Sequence, residues 1–405
     1  MNRTMKRAVP LLLLALTIPA CGENGGGTAD ALAEDTRAVL ATVAAVVEER
    51  LTLFRDRAVA LEAAATAYAA APEDTALQSA ARTAWSDAME PWQELEVLQI
   101  GPAGEPLDGD VGSLGGQDLR NEIYSWPSTN LCRIDQEVVE GAYADGDAFL
   151  AAELTNVRGL DAMEYLLFAP TTENDCTPLD PINAEGTWAA LGDAEVTARR
   201  AAFAATLAAG VRAQADALHA AWFGADGAGG AFADELRTAG DTSTLFLTAQ
   251  LALEDLSSQL LYLDVAVKDM KVGDPSGLRM SAMRACEAPP CPELLESPFA
   301  ERSLEHIRAN VAGFAAVFRG TETQPGLSEL LVAAGADATA AQMTTDLAAS
   351  EAAFAAASSP LADALDTQPV ADGFAALDRL MDGFRTGYTS ALDVRLPSGP
   401  VGDND

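Results

Sequence analysis

The chain has 405 residues, with 25 basic against 61 acidic side chains and a formal net charge of −36. An excess of negative charge on this scale disfavours nucleic acid and anionic lipid as partners. Close to half of the residues are hydrophobic, and the length is enough for two domains with substantial cores.

Residues 1–20 read as a targeting segment and stand outside the fold. Arg3, Lys6 and Arg7 form a basic start, and an apolar stretch from Val9 to Ile18 follows. That stretch is too short to span a bilayer. The run Ile18, Pro19, Ala20, Cys21 resembles a bacterial lipoprotein cleavage box, which makes Cys21 the expected lipidated N-terminus. Ordinary secretion is the alternative. Gly22 to Gly27 is glycine-rich and reads as part of a flexible tether over 21–28. Gly22, where an aspartate would favour the inner membrane, points to the outer membrane, facing the periplasm or the cell surface. Loss of the leader takes the net charge from −36 to −39, since it holds three basic and no acidic residues. No later segment reaches the length of apolar sequence that a membrane span needs.

Beyond the tether the sequence is rich in alanine and leucine with helical periodicity. Helices are expected over 29–71, 75–98, 134–142, 146–168, 187–222, 230–270, 301–318, 336–358 and 370–391. The stretch 230–270 carries the clearest seam: Ala249, Leu253, Leu256, Leu260, Leu263, Val267 and Met270 alternate spacings of four and three. Breaks such as Pro72, Glu73 and Asp74 predict antiparallel hairpins. Gly101-Pro102 and Gly273 to Pro275 each close a pair of long helices, and Trp126-Pro127 and Ser297-Pro298 follow at similar distances. The expectation is an all-α protein of two bundle halves, 29–175 and 187–395, related by an internal repeat.

Four cysteines remain after Cys21, an even number in an exported chain, so disulfides are expected. Three pairings are open. The short loop between Cys286 and Cys291 favours pairing those two, which leaves Cys132 with Cys176.

The most unusual stretch runs from Asn156 to Phe168. On helical geometry Asp161 and Glu164 fall among the apolar residues Leu154, Val157, Leu160 and Phe168. Burying a carboxylate costs several kcal/mol unless it is paired, protonated or bound to a metal. Gly159, expected mid-helix, implies a close approach to the backbone. Two readings stay open: a ligand or metal site, or a structural network in which Arg120, Arg133 or Arg158 neutralises the acids.

The chain resembles the imelysin family of bacterial exported proteins, also called peptidase family M75. The resemblance is carried by Ala84-Trp85 through Trp92 to Gly101-Pro102, and by Arg120 to Pro127. It continues with Gly159 to Glu164, and with Ser303-Leu304 through Asn310 to Gly320. It implies an all-α fold of two bundle-like halves and a link to bacterial iron uptake, with uptake-system proteins as partners. The family signature is Gly-x-His-x-x-Glu, whose His and Glu are the metal ligands the resemblance implies. Here Gly159 and Glu164 match, but Asp161 stands in place of the histidine. An all-oxygen pair suits hard cations such as Fe³⁺, Mn²⁺ or Ca²⁺ better than Zn²⁺. Glu94, Glu96 and Glu122 are candidates to complete the site. Arg120, Tyr124 and Trp126 are candidates for its wall.

No zinc-peptidase ligand pattern, nucleophile elbow or phosphate-binding glycine loop is present. The two histidines, His219 and His306, read as surface or packing residues, and Trp85 and Trp92 as core. Three functions follow in order: a lipid-anchored metal-binding protein of metal uptake, a non-catalytic interaction module that has lost the metal, and a metallopeptidase.

Overall fold

A computed structural model describes residues 25–109, 112–225, 231–279 and 288–397, with side chains from 31 onward. Residues 1–20, Cys21 and Cys286 lie outside the described residues, and with them the expected leader, the expected lipidation and the expected Cys286–Cys291 pairing. Among the described residues the structure is helical, with no strands and a single isolated bridge between Pro106 and Ser113.

The first helix, Gly25–Ala70, turns back through the expected break into the second, Thr75–Glu96. Asp74 caps the second helix by accepting from the Ala76 and Leu77 amides, which satisfies two otherwise unpaired N–H groups. The long helix Asp193–Phe223, placed by the sequence in the second half, packs along the first helix and across Gly159–Phe168. In the other group Asp337–Ala356 pairs with Gln368–Gly383, and Ser303–Arg319 packs on both Asp337–Ala356 and the second helix. The contact between Ser303–Arg319 and the second helix is a backbone approach. A Cβ on Gly313 would meet the Glu94 carbonyl oxygen at 2.0 Å, so only glycine fits there. One continuous apolar core runs from Val39 to Val394 through both groups.

Two expected helices are broken. The stretch 146–168 forms Gly146–Ala152, a 3-10 turn at Thr155–Val157, and then Gly159–Phe168. Gly159 therefore opens its helix instead of lying within it. It sits at φ +80°, and a Cβ there would come 2.6 Å from the Ile123 carbonyl oxygen, so alanine is excluded on both counts. Leu154, read as part of the buried face, is 71% exposed. The stretch 230–270 breaks into Phe232–Arg237, Ala249–Gln259 and a π-helical segment, Leu263–Gly273. The break is chemical: Glu235 accepts from the Ser243 and Thr244 hydroxyls and from the Thr244 and Leu245 amides, and Thr248 caps the next helix. Side chains that bond backbone in this way compete with helix formation.

Cys132 and Cys176 form the expected disulfide, closing a separation of 44 residues around the Gly159–Phe168 helix.

Candidate functional site

Asp161 and Glu164 are buried, at 9% and 1% exposure, on the inner face of the Gly159–Phe168 helix. Neither forms a salt bridge among the described residues. Arg120 pairs with Glu96 at 2.8 Å, Arg158 with Glu122 at 2.8 Å, and Arg133 with Glu137, Glu140 and Glu153. The arginine network considered for the two acids is thus committed elsewhere. One Glu164 oxygen, Oε1, accepts from the Phe299 and Ala300 amides, both at 2.9 Å. The other, Oε2, is buried with no hydrogen-bond partner, although the Ser297 side chain is near enough to draw the carboxyl's pKa down.

Burial dominates the electrostatics of the pair. It pushes Glu164 up to about 8, and the adjacent Asp161 charge adds to the effect. Asp161 rises to about 7, again through burial first, while the Thr129 hydroxyl and Arg120 pull it down and Glu296 and Glu96 push it up.

Around Tyr124 the structure builds a second buried assembly that crosses between the two helix groups. Lys271, fully buried on the π-helical segment, lies 2.9 Å from Glu96, 2.8 Å from Glu296, 2.8 Å from Gln93 and 2.9 Å from Asn310. The Trp126 and Tyr262 rings flank its ammonium at 5.3 and 5.5 Å. Glu296 Oε1 also accepts from Gln93 and from the Tyr124 hydroxyl, at 3.0 and 2.9 Å. Burial would raise the Glu296 pKa, but Lys271 and His306 outweigh it and hold the carboxyl down to about 2. Arg120 secures the far side of Glu96 and donates to the Trp126 carbonyl at 2.7 Å. Two acids and two bases so arranged balance without solvent, each charge meeting an opposite one.

Of the residues the sequence marked, Asp161, Glu164, Glu96, Arg120, Tyr124 and Trp126 are brought into one buried region; the four acids that raise the Tyr124 pKa, after burial, are Glu296, Asp161, Glu96 and Glu164. Glu96 is spent on Arg120 and Lys271. Glu94 lies on the outer side, paired with Arg50 at 2.5 Å, and Glu122 is held by Arg158. Lys271, Glu296, Gln93 and Asn310 escaped the sequence reading as members of this assembly. His306, read as a surface or packing residue, is the latter: it is buried with Nδ1 at 3.4 Å from Glu296 Oε2. One signal for Lys271 was available: the chain has three lysines, and two of them, Lys268 and Lys271, fall three residues apart.

The pair Asp161–Glu164 suits a hard cation in donor chemistry, in its orphaned Oε2 and in having no salt bridge to an arginine among the described residues. It is not a closed centre by itself. Among the described residues the only three His, Cys, Asp or Glu side chains with ligand atoms within 4.8 Å of one another are Cys132, Cys176 and Asp180, where the sulfurs are already bridged.

A helical fold with buried motif acids at its centre defines a class of protein, and comparison identifies it. The imelysin family model matches residues 48–385, and the chain belongs to that family. Two solved structures share the fold. One is described as an iron-regulated protein A precursor from Parabacteroides distasonis, with a TM-score of 0.67 and 17% identity, covering 89% of this chain and 95% of that one. The other is an imelysin-like protein from Psychrobacter arcticum, with a TM-score of 0.62 and 19% identity, covering 90% of this chain and 98% of that one. No match was found among curated proteins.

Proposed function

We propose that this chain is an iron-related protein of the bacterial cell envelope whose Asp161 and Glu164 hold a hard metal cation. Fe³⁺ is the first candidate, with Mn²⁺ and Ca²⁺ behind it. The observation that carries the reading is the unpartnered Glu164 Oε2, buried beside a second carboxyl, with Arg120 near enough to act on Asp161 but bridged to Glu96 instead. Family membership and the iron-regulated description of one structural neighbour favour iron. Asp161 and Glu164 would hold the ion through oxygen, and the Phe299 and Ala300 amides would fix the Glu164 carboxylate in place. The ion would offset the repulsion and desolvation that otherwise keep the pair protonated. The N-terminal run ending at Cys21 supports a lipid anchor in the outer membrane, which would hold the protein at the envelope beside metal-uptake partners.

A second reading is an interaction module without a metal. It is favoured by Asp161 itself, where the family signature has histidine, and by the ease with which the two acids retain protons.

Elemental analysis and thermal unfolding of the mature protein separate the two. With Fe³⁺, Mn²⁺ or Ca²⁺ at 100 times its Kd, the melting temperature should rise by a few degrees, since such a ligand adds about 2.7 kcal/mol to the folded state. Glu164→Ala should lose that rise. Asp161→His, which restores the signature, should move preference toward Zn²⁺ and other later metals. A wild-type melting temperature unmoved by chelator and by every ion favours the interaction module.

A further inference from the structure

Two carboxylates from one helix are too few donors for a hard cation, which takes six or more oxygens in all. The second helix group meets the Gly159–Phe168 helix through the segment from Glu296 to Ala300. Phe299 and Ala300 give their amides to Glu164 Oε1, both at 2.9 Å, and the Phe299 ring rests against Tyr165 with centroids 5.1 Å apart. At the other end of the segment Glu296 is fixed by Lys271, Gln93 and Tyr124. Ser297 is therefore held between two anchored neighbours. Its own amide donates to the Ser303 hydroxyl at 3.0 Å, which pins the backbone at this residue as well.

The Ser297 side chain has no comparable use. It is 0% exposed, and its hydroxyl oxygen is buried with no hydrogen-bond partner. It nevertheless lies close enough to the Glu164 carboxyl to draw that group's pKa down. Glu164 Oε2, on a residue 1% exposed, is buried without a hydrogen bond too. The two groups are neighbours that do not close a bond with each other.

A buried hydroxyl in this state costs free energy that alanine would avoid, and few such atoms persist without a reason. Packing alone does not need the oxygen. Metal–oxygen distances of about 2.0–2.6 Å place two oxygens on one hard cation roughly 3 Å or more apart, near neighbours that are not bonded to each other. A cation between them would satisfy both. Among the described residues no third His, Cys, Asp or Glu joins Asp161 and Glu164 within 4.8 Å, so a neutral oxygen is the donor at hand.

We propose that the Ser297 hydroxyl is the third protein ligand of the cation held by Asp161 and Glu164, an inference that rests on the reading of that pair as a metal site. The Gly159–Phe168 helix brings the two carboxylates, and the second helix group brings the hydroxyl. The ion thus ties the two groups together. Serine adds a hard oxygen without adding charge, which keeps the set suited to Fe³⁺, Mn²⁺ or Ca²⁺.

Mn²⁺ is titrated into the mature protein, and the ion left free in solution is read by electron paramagnetic resonance. Wild type should bind one ion tightly, above the weak uptake of an acidic surface, and Glu164→Ala should lose that ion. Ser297→Ala should weaken binding at least about tenfold, the scale on which even outer-shell partners act. Its metal-free melting temperature should stay level or rise, because alanine removes an unsatisfied hydroxyl. Ser297→Cys puts sulfur in place of the oxygen. It should weaken Mn²⁺ in the same way and gain Cd²⁺, seen as a thiolate-to-metal absorption band in the ultraviolet that wild type lacks. A serine that only packs would not exchange one metal for the other. Mn²⁺ affinity unchanged in Ser297→Ala, or no new Cd²⁺ band in Ser297→Cys, overturns the proposal and leaves the acid pair as the site. Wild type that takes up no Mn²⁺ overturns the three-oxygen site; whether the pair holds any ion is decided separately by the melting temperatures with Fe³⁺ and Ca²⁺.

Discussion

Lys271→Met is expected to destabilise the protein by about 3–5 kcal/mol, the usual cost of removing one partner from a buried charge assembly. The ammonium is the common neighbour of Glu96, Glu296, Gln93 and Asn310, none of which has water to replace it. Methionine fills the same volume, so the loss is electrostatic and not a cavity effect. Arg120 would still cover Glu96, which leaves Glu296 as the stranded charge. Glu296→Gln added to Lys271→Met should therefore recover part of the loss, a coupling that urea denaturation of the two single variants and the double variant measures directly. A loss below about 1 kcal/mol in Lys271→Met, on the scale of an exposed pair, would mean the assembly does not hold the two helix groups together.

The second large effect is on pH dependence. Asp161 and Glu164 have folded values of about 7 and 8, above their ordinary 3.8 and 4.5. The folded chain therefore binds more protons than the unfolded one between those limits. The stability these groups contribute is complete at about pH 4 and is lost as pH rises through 7 to 8. Glu296 works in the opposite direction: held down to about 2, it stabilises above its ordinary value of 4.5 and loses that contribution as pH falls through about 2. The metal-free protein should be most stable near pH 4.5, where the Glu296 contribution is complete and that of Asp161 and Glu164 has barely begun to fall. A pKa displaced by one pH unit corresponds to about 1.4 kcal/mol, and Glu164 moves from 4.5 to about 8, so that acid alone gives a loss on the order of 5 kcal/mol between pH 4.5 and 9. Glu164→Gln keeps an acceptor for the Phe299 and Ala300 amides and carries no charge. It should flatten the profile and exceed wild type by about 2 kcal/mol at pH 9, read from urea unfolding in chelator. An unchanged slope between pH 6 and 9 would show that Glu164 is ionised throughout in the folded protein.

Periodicity was a good guide wherever helix faces met the core. Trp85 and Trp92, seven residues apart, are both fully buried, and most of the seam from Ala249 to Val267 is buried as well. The same pattern placed Asp161 and Glu164 inside. It failed where local side-chain chemistry overrode it. Glu235 ties the chain from 243 to 245 into a turn that apolar spacing does not reveal, and Gly159 acts through its φ at a helix start. The Lys271 assembly was illegible for a different reason. Its members come from positions 93, 96, 120, 271, 296 and 310, and only the tertiary approach of the second helix to Ser303–Arg319 at Gly313 unites them.

The burial of the lysines has a consequence for chemical handling. Lys6 lies outside the described residues, and the other two, Lys268 and Lys271, are 4% and 0% exposed. The folded region from residue 31 on thus presents almost no side-chain amine to an acylating reagent or an amine-directed cross-linker. A protease that cuts after lysine alone would find its two sites beyond residue 20 locked inside the π-helical segment. Lysine modification at 268 or 271 becomes an internal reporter, silent while the two helix groups stay joined and visible once they part.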